Sequence, residues 1–114
     1  MIIQMGEQAV QSVKELRGGK GTLSRKDVFT EEQMLGKALW FITLTIPPGA
    51  SIGQHPHDED AEIYYILSGS LRVTDDGITK DLSAGDAVFT SEGKIHGVEN
   101  ISDDQAVLLA VRLP

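Results

Sequence analysis

From residue 38 onward the chain is a series of short β-type segments separated by turn residues, and this regular interruption constrains the fold more than any other feature. The first segment, 37–46, alternates Trp40, Ile42 and Leu44 on one face with Leu39 and Phe41 on the other, as a strand requires. The same reasoning predicts further strands at 62–67, 71–74, 78–82, 87–90, 95–101 and 106–113. About seven strands at this spacing indicate an all-β sandwich or barrel.

The first third of the chain has a weaker pattern. In segment 6–16 the apolar residues fit a short helix, and an arm that pairs as an edge strand is a nearly equal alternative. Segment 17–22, RGGKGT, has the composition of a phosphate-binding loop. The GxxxxGK[ST] spacing is absent, however, so we interpret it as a flexible turn, with contact with an anion as the alternative.

Composition restricts the function. A length of 114 residues predicts one domain. Seventeen acidic against ten basic residues give a net charge of -7, which disfavours nucleic acid as a partner. The absence of cysteine leaves nitrogen and oxygen as the ligands of any metal. Neither a signal peptide nor an apolar run of the roughly 20 residues that span a membrane is evident, so we expect a cytoplasmic protein that does not contact membranes.

The stretch HPHDEDAE, residues 55–62, carries the main chemical signal. His55 and His57 are two of only three histidines in the chain, and the third is His96. Residues i and i+2 of a strand point to one face, so His55 and His57 aim at one point if this segment is extended. Imidazole is the commonest metal ligand in proteins, and the pair therefore indicates a chelate.

The four acids of this stretch are not equivalent. Glu62 opens the next predicted strand and shares a face with Tyr64, which makes it the candidate carboxylate ligand. Asp58, Glu59 and Asp60 are consecutive and cannot all point inward. We expect these three to form a solvated turn, with a role at the mouth of the site as the alternative.

Two motifs in the chain resemble those of the cupins. The first cupin motif, G(X)5HXH(X)3,4E(X)6G, corresponds to GASIGQHPHDEDAEIYYILSG, which begins at Gly49. The second, G(X)5PXG(X)2H(X)3N, corresponds to GDAVFTSEGKIHGVEN, in which Ser91 replaces the usual proline. Nine of the ten fixed positions agree, and the motifs stand 15 residues apart in the expected order. The chain thus looks like a small single-domain cupin, and the resemblance covers residues 38–113.

This resemblance implies a double-stranded β-helix, or jelly-roll barrel. It implies a domain over residues 37–114, preceded by an N-terminal arm over 1–36 that is a candidate for packing on a partner subunit. It also implies one divalent transition metal, manganese, iron, nickel or zinc, held by His55, His57, Glu62 and His96. An octahedral ion with these four ligands keeps two positions open for water or a small-molecule ligand.

Four further residues are candidates for the substrate pocket. Tyr64 shares the face of Glu62 and is expected in the cavity wall. Trp40 or Phe41 is expected to line the cavity, depending on strand register, with plain core packing as the alternative for each. Arg112 binds a substrate carboxylate if its side chain points inward; the alternative is that it extends to solvent.

The family resemblance leaves the reaction open, because cupins include decarboxylases and oxidases of oxalate, dioxygenases, isomerases and proteins without known activity. One hypothesis is a metal-dependent enzyme acting on a small carboxylate or polyol. The others are a binding or sensing module that does not turn its ligand over, and a barrel with a vestigial site. Related small cupins are usually dimers, and segment 106–113 is apolar on both faces, so we also expect a homodimer.

Overall fold

The computed structural model describes all 114 residues and consists of ten strands and two 3-10 turns. The strands are β1 (Ala9–Lys14), β2 (Thr22–Phe29), β3 (Trp40–Ile46), β4 (Ser51–Pro56), β5 (Ala61–Ser68), β6 (Ser70–Asp75), β7 (Ile78–Ser83), β8 (Ala87–Thr90), β9 (Ile95–Glu99) and β10 (Ala106–Leu113). The 3-10 turns are Met5–Glu7 and Leu16–Gly18. Neither is long enough or apolar enough to cross a membrane.

The strands form two antiparallel sheets that enclose the core as a jelly-roll barrel. One sheet has the order β1-β2-β3-β10-β5-β8, and the other has the order β4-β9-β6-β7. The predicted all-β barrel is therefore confirmed. The sequence pattern did not identify β2, and it gave β4 only as a condition for His55 and His57 to share a face, because β4 contains Gly53 and ends at Pro56.

The core lies between the two sheets and follows the alternation expected of each strand. In β3, Ile42 and Leu44 point inward and are 3% exposed, whereas Phe41 points outward. Strand β10 buries Leu108 and Ala110 in the same way, while its outward residues stay partly exposed. The central strands β3, β5 and β10 thus each have one face in the core.

Residues 9–29 extend the six-stranded sheet. Strand β1 pairs with β2 and β2 pairs with β3, and Leu23 of β2 is buried in the core. The helix predicted as one alternative for segment 6–16 is therefore wrong, and the edge strand is correct. Contact of this segment with a partner subunit stays a prediction.

The turn between β1 and β2 lies directly on β4 because two glycines allow the backbones to meet. A Cβ atom on Gly53 would lie 2.0 Å from the carbonyl oxygen of Arg17, and one on Gly19 would lie 2.2 Å from the carbonyl oxygen of Ser51. No side chain fits at either position, so only glycine permits this approach. The turn predicted for segment 17–22 is thereby fixed above the strand that carries His55.

Candidate metal centre

Three strands and one loop bring the proposed metal ligands to one point inside the barrel. His55 lies in β4 and is paired with His96 of β9, so both side chains are on the same face. His57 follows β4 two residues later, and Glu62 enters from β5 in the opposite sheet. All four side chains are buried, and their ligand atoms lie within 4.8 Å of one another.

The spacing of these atoms fits a shared metal ion. Nε2 of His96 lies 2.8 Å from Nε2 of His57 and 3.0 Å from Nε2 of His55. Oε1 of Glu62 lies 3.3 Å from Nε2 of both His57 and His96. Ligands about 2.0–2.1 Å from one ion stand about 2.9 Å apart at right angles and about 3.4 Å apart in a tetrahedron. The observed separations of 2.8–3.3 Å lie close to this interval.

The hydrogen bonds of His55 and His57 fix their tautomers. Nδ1 of His55 donates to the carbonyl oxygen of Gly53 at 2.8 Å. Nδ1 of His57 donates to Oδ1 of Asp60 at 2.6 Å. Because a carbonyl and a carboxylate only accept, the proton of each neutral imidazole is on Nδ1, and the lone pair is on Nε2.

His96 is oriented through one more residue. Thr90 donates its hydroxyl proton to Oδ1 of Asp75 at 2.6 Å, so its oxygen accepts from Nδ1 of His96 at 2.8 Å. The Nε2 lone pair of His96 therefore also points inward. None of the three imidazole Nε2 atoms carries a proton, and the nearest donor is the Tyr64 hydroxyl, 3.2 Å from Nε2 of His96. One such donor does not satisfy three lone pairs and a carboxylate, and a cation is the group that such a set accommodates.

Trp40 orients the carboxylate of Glu62 so that one of its two oxygens faces the histidines. The indole Nε1 donates to Oε2 of Glu62 at 2.9 Å, which leaves Oε1 facing the histidines. Burial raises the pKa of Glu62, but contacts with His96 and His57 and the bond from Trp40 outweigh it and leave the pKa below its ordinary value. Glu62 is therefore an anion at neutral pH.

Asp60 does not belong to the solvated turn that the sequence predicts. Its side chain is 10% exposed and contacts both His57 and Arg112. Burial raises the pKa of Asp60, but hydrogen bonds with His57 and Arg112 lower it by a larger amount, so the pKa lies below its ordinary value. Asp58 and Glu59 are exposed as expected. The error arose because Asp60 immediately precedes β5 and its loop turns it back toward the site.

A cavity of about 70 Å³ adjoins the metal site. His55, His57 and Glu62 border it, together with Tyr64, whose ring stacks on His96 at 4.6 Å between centroids. Its apolar wall consists of Val13, Leu16, Ile42, Leu44 and Ile52. One water needs about 10–15 Å³ by this measure, so the space fits a ligand of roughly half a dozen non-hydrogen atoms.

The four residues proposed for the pocket have different positions. Tyr64 and Trp40 line the cavity. Phe41 is on the opposite face of β3, where its ring packs edge-to-face on Phe29 at 5.7 Å, so its assignment to the cavity is wrong. Arg112 points inward but does not line the cavity, because it is paired with Asp60 and its guanidinium lies 4.6 Å from the Trp40 ring.

Burial sets the protonation of two cavity residues. Desolvation is the main cause that lowers the pKa of His55 to about 4, and the nearby charges of His96 and Arg17 add to it. His55 is therefore neutral at pH 7, as a metal ligand must be. Desolvation, reinforced by the Glu62 charge, raises the pKa of Tyr64 well above its ordinary value, so Tyr64 stays protonated.

The contribution of the N-terminal segment to the cavity was not predicted. Val13, Leu16, Arg17 and Arg25 all line it. The spacing of its apolar residues fits a helix as well as a strand, since β1 is a mostly exposed edge strand and the turn after β1 is irregular. Their position depends on the pairing of β2 with β3, which is a tertiary contact.

A jelly-roll barrel with three histidines and one glutamate at its centre defines the cupin class. The chain belongs to the cupin family: the family model described as the cupin domain matches residues 42–112.

Among known proteins, the chain is similar to an oxalate-binding protein of Thermotoga maritima, with 36% identity over 111 residues that cover 97% of this chain and 92% of that protein. It is 31% identical over 102 residues to an oxalate decarboxylase of Bacillus subtilis, covering 85% of this chain and 26% of that longer protein. The crystal structure of a predicted oxalate decarboxylase from Thermotoga maritima superimposes with a TM-score of 0.95 at 35% identity, covering 99% of this chain and 98% of the other.

Proposed function

We propose that the protein binds one divalent transition metal through His55, His57, Glu62 and His96. The observation that carries this proposal is the set of three unprotonated Nε2 atoms and one carboxylate oxygen, all within 4.8 Å of one another, with four of the separations at 2.8–3.3 Å. The nitrogen and oxygen donors suit manganese, iron, nickel and zinc. When bound, such an ion supplies a Lewis acid that attracts and polarises a carboxylate oxygen.

The second part of the proposal is that the cavity holds a small carboxylate beside the metal. Its volume of about 70 Å³ suits a ligand of this size, and two arginines among its lining residues favour an anion over a neutral polyol. The names of the relatives from Thermotoga maritima and Bacillus subtilis, which refer to oxalate, support the same class of ligand.

Reversible binding is the function that the cavity supports best. Decarboxylation or isomerisation needs a group that donates a proton during the reaction. Within the cavity the only carboxylate is Glu62, which the metal and Trp40 occupy, and Tyr64 keeps its proton because of its raised pKa. These residues hold and enclose a ligand but do not exchange protons with it.

Turnover is the second candidate function, and one observation favours it. Glu59 and Asp58 are exposed in a groove at the mouth of the site, beside Arg17. An acid from this loop would reach the ligand only if the loop moved inward. Asp60, the third acid of this loop, is engaged by His57 and Arg112.

One set of measurements tests these proposals. Protein purified without an affinity metal column is analysed for its elements, and metal-loaded protein is titrated with oxalate by calorimetry. We expect one metal per chain and oxalate binding that requires the metal, with oxalate recovered unchanged after prolonged incubation. Less than a tenth of a metal per chain after reloading would contradict the metal site, and release of formate or carbon dioxide would establish turnover instead.

We also infer that the protein is a homodimer, since the outer face of the six-stranded sheet carries an apolar row. Phe41, Val111, Ile63 and Phe89 are register partners on four adjacent strands, and Phe89 is 57% exposed. An exposed apolar patch of this kind marks an interface. Sedimentation as a monomer at micromolar concentration would contradict the dimer, and Phe89→Glu is expected to convert a dimer to monomers.

A further inference from the structure

Two arginines of the N-terminal segment reach the cavity from different directions. Arg25 is the register partner of Leu44, an inward residue of β3, so its side chain is also on the inner face of the sheet. Arg17 lies in the turn after β1, which Gly19 and Gly53 hold against β4. Neither residue belongs to a cupin motif described above. Anion contact was an alternative for the segment that begins at Arg17, and nothing in the sequence indicated a role for Arg25.

Arg25 is positioned before any ligand arrives. Its Nε donates to Oδ1 of Asp27 at 2.8 Å, and its guanidinium lies 5.3 Å from the ring centre of Trp40. The side chain is only 26% exposed. Its terminal amino groups make no hydrogen bond to the protein, so these donors remain available to an anion.

Arg17 is an exposed residue at the mouth of the cavity. It borders both the cavity and the groove that contains Asp58 and Glu59, and it has no ion-pair partner. Its backbone has a positive φ of 54°, which places it at the bend of the turn. Arg17 therefore stands where a ligand enters, whereas Arg25 stands at the wall.

The charges around the cavity match a dianion. A divalent ion with Glu62 leaves one positive charge, because all the histidines are neutral ligands. Arg25 is balanced by Asp27, and Arg112 is balanced by Asp60, while Arg17 adds a second unbalanced positive charge. The charge of the metal site acts inside the enclosed cavity with little screening by water, whereas water and the neighbouring Asp58 and Glu59 weaken the effect of exposed Arg17. Together the two positive charges favour a ligand with two negative charges.

We propose that Arg25 and Arg17 make the site selective for small dicarboxylates over monocarboxylates and polyols. Arg25 donates its terminal amino groups to a carboxylate of the bound ligand, and Arg17 closes the mouth over the remaining charge. A planar guanidinium suits a carboxylate because two parallel hydrogen bonds form. This inference rests on the proposed binding of a metal and a carboxylate.

The test compares oxalate with glycolate, a monoanion of similar size, by calorimetric titration of the metal-loaded protein. Loss of charge-assisted hydrogen bonds predicts that Arg25→Gln weakens oxalate binding about 10- to 100-fold. Arg17→Gln, at an exposed position, is expected to weaken it about three- to tenfold. Glycolate binding is expected to change less in both variants. Arg25→Lys, which keeps the charge and loses the planar fork, is expected to recover only part of the affinity.

The control is Arg72→Gln, which removes the same charge from an exposed residue paired with Asp81. It is expected to bind oxalate as the unchanged protein does. Metal content is measured in every variant and is expected to stay at one ion per chain. Unchanged oxalate affinity in both Arg25→Gln and Arg17→Gln, with metal retained, would overturn the inference alone. Metal binding without any oxalate binding in the unchanged protein would overturn the proposed ligand and the inference together.

Discussion

Asp60 offers the sharpest test of how the metal ligands are oriented. It is one of three consecutive acids, of which Asp58 and Glu59 are exposed and only Asp60 contacts a proposed ligand. Its Oδ1 accepts from Nδ1 of His57, which directs the Nε2 lone pair into the site. The test compares two variants, Asp60→Asn and Asp60→Ala, with Glu59→Gln as the control.

The expected losses of metal affinity follow from the contact between Asp60 and His57. The bond is 2.6 Å long between side chains that are 1% and 10% exposed, so water does not replace it readily. Asparagine keeps an acceptor oxygen but loses the charge, and about half of a charged hydrogen bond of about 1.5–3 kcal/mol is lost, which corresponds to about a three- to tenfold weaker metal affinity. Alanine removes the acceptor, and the loss is expected to be about 10- to 100-fold.

The assay is a competition titration of each metal-free variant with zinc or manganese against a chromophoric chelator. Glu59→Gln removes the same charge one residue away and is expected to change the affinity less than twofold, because that side chain is exposed. Circular dichroism melts verify that each variant is folded. An equal effect of Glu59→Gln and Asp60→Asn would show that only long-range charge matters, and an unchanged affinity in Asp60→Ala would refute the role of Asp60 in orienting His57.

Three further outcomes are expected. His57→Ala is expected to abolish metal binding, and with it the stabilisation of about 2.7 kcal/mol that metal at 100 times Kd gives; a melt that still responds to metal would contradict this. In metal-free protein the pKa of His55 is about 4 when folded and 6.5 when unfolded, so the unfolded chain takes up the proton first. The contribution of His55 to the free energy of unfolding is fully present above pH 6.5 and falls by up to about 3 kcal/mol toward pH 4. Denaturant titrations in the presence of chelator detect this pH dependence, and His55→Gln is expected to remove it. Gly53→Ala puts a Cβ 2.0 Å from the carbonyl oxygen of Arg17 and is expected to cost about 1–3 kcal/mol in chemical unfolding, whereas Gly6→Ala, with nothing within 4 Å, is expected to cost little.

The strands that the sequence predicts are the short β-type segments that turn residues separate. Strands β8 and β10 agree residue for residue with the predicted 87–90 and 106–113, since turns bound them on both sides. Strand β1 was predicted only as one of two alternatives, because five of its six residues are exposed and its apolar spacing also fits a helix. Its conformation is determined by pairing with β2, and such a contact leaves no local periodicity in the sequence.

The four residues of the buried cluster could be predicted because they stand at fixed spacing in two short motifs of the chain. The groups that orient them could not. Trp40 and Thr90 contact Glu62 and His96 across 22 and 6 residues of chain, and each looks like an ordinary strand residue in the sequence. Asp60 was predicted to be solvated, because an acid beside two other acids usually is. Only the return of its loop toward Arg112 shows which of the three is buried.

Arg112 connects the two carboxylates of the site, although it does not touch the cavity. It pairs with Asp60, which orients His57, and its guanidinium lies over Trp40, which holds Oε2 of Glu62. In the sheet, Arg112 is the register partner of both Trp40 and Glu62, so this contact is a direct result of placing β10 between β3 and β5. The position of both ligands therefore depends on one residue of the last strand. An inward side chain at Arg112 was expected to bind a substrate carboxylate. The side chain does point inward, but its contacts make it a positioning residue, and we assign recognition of the anion to Arg25 and Arg17.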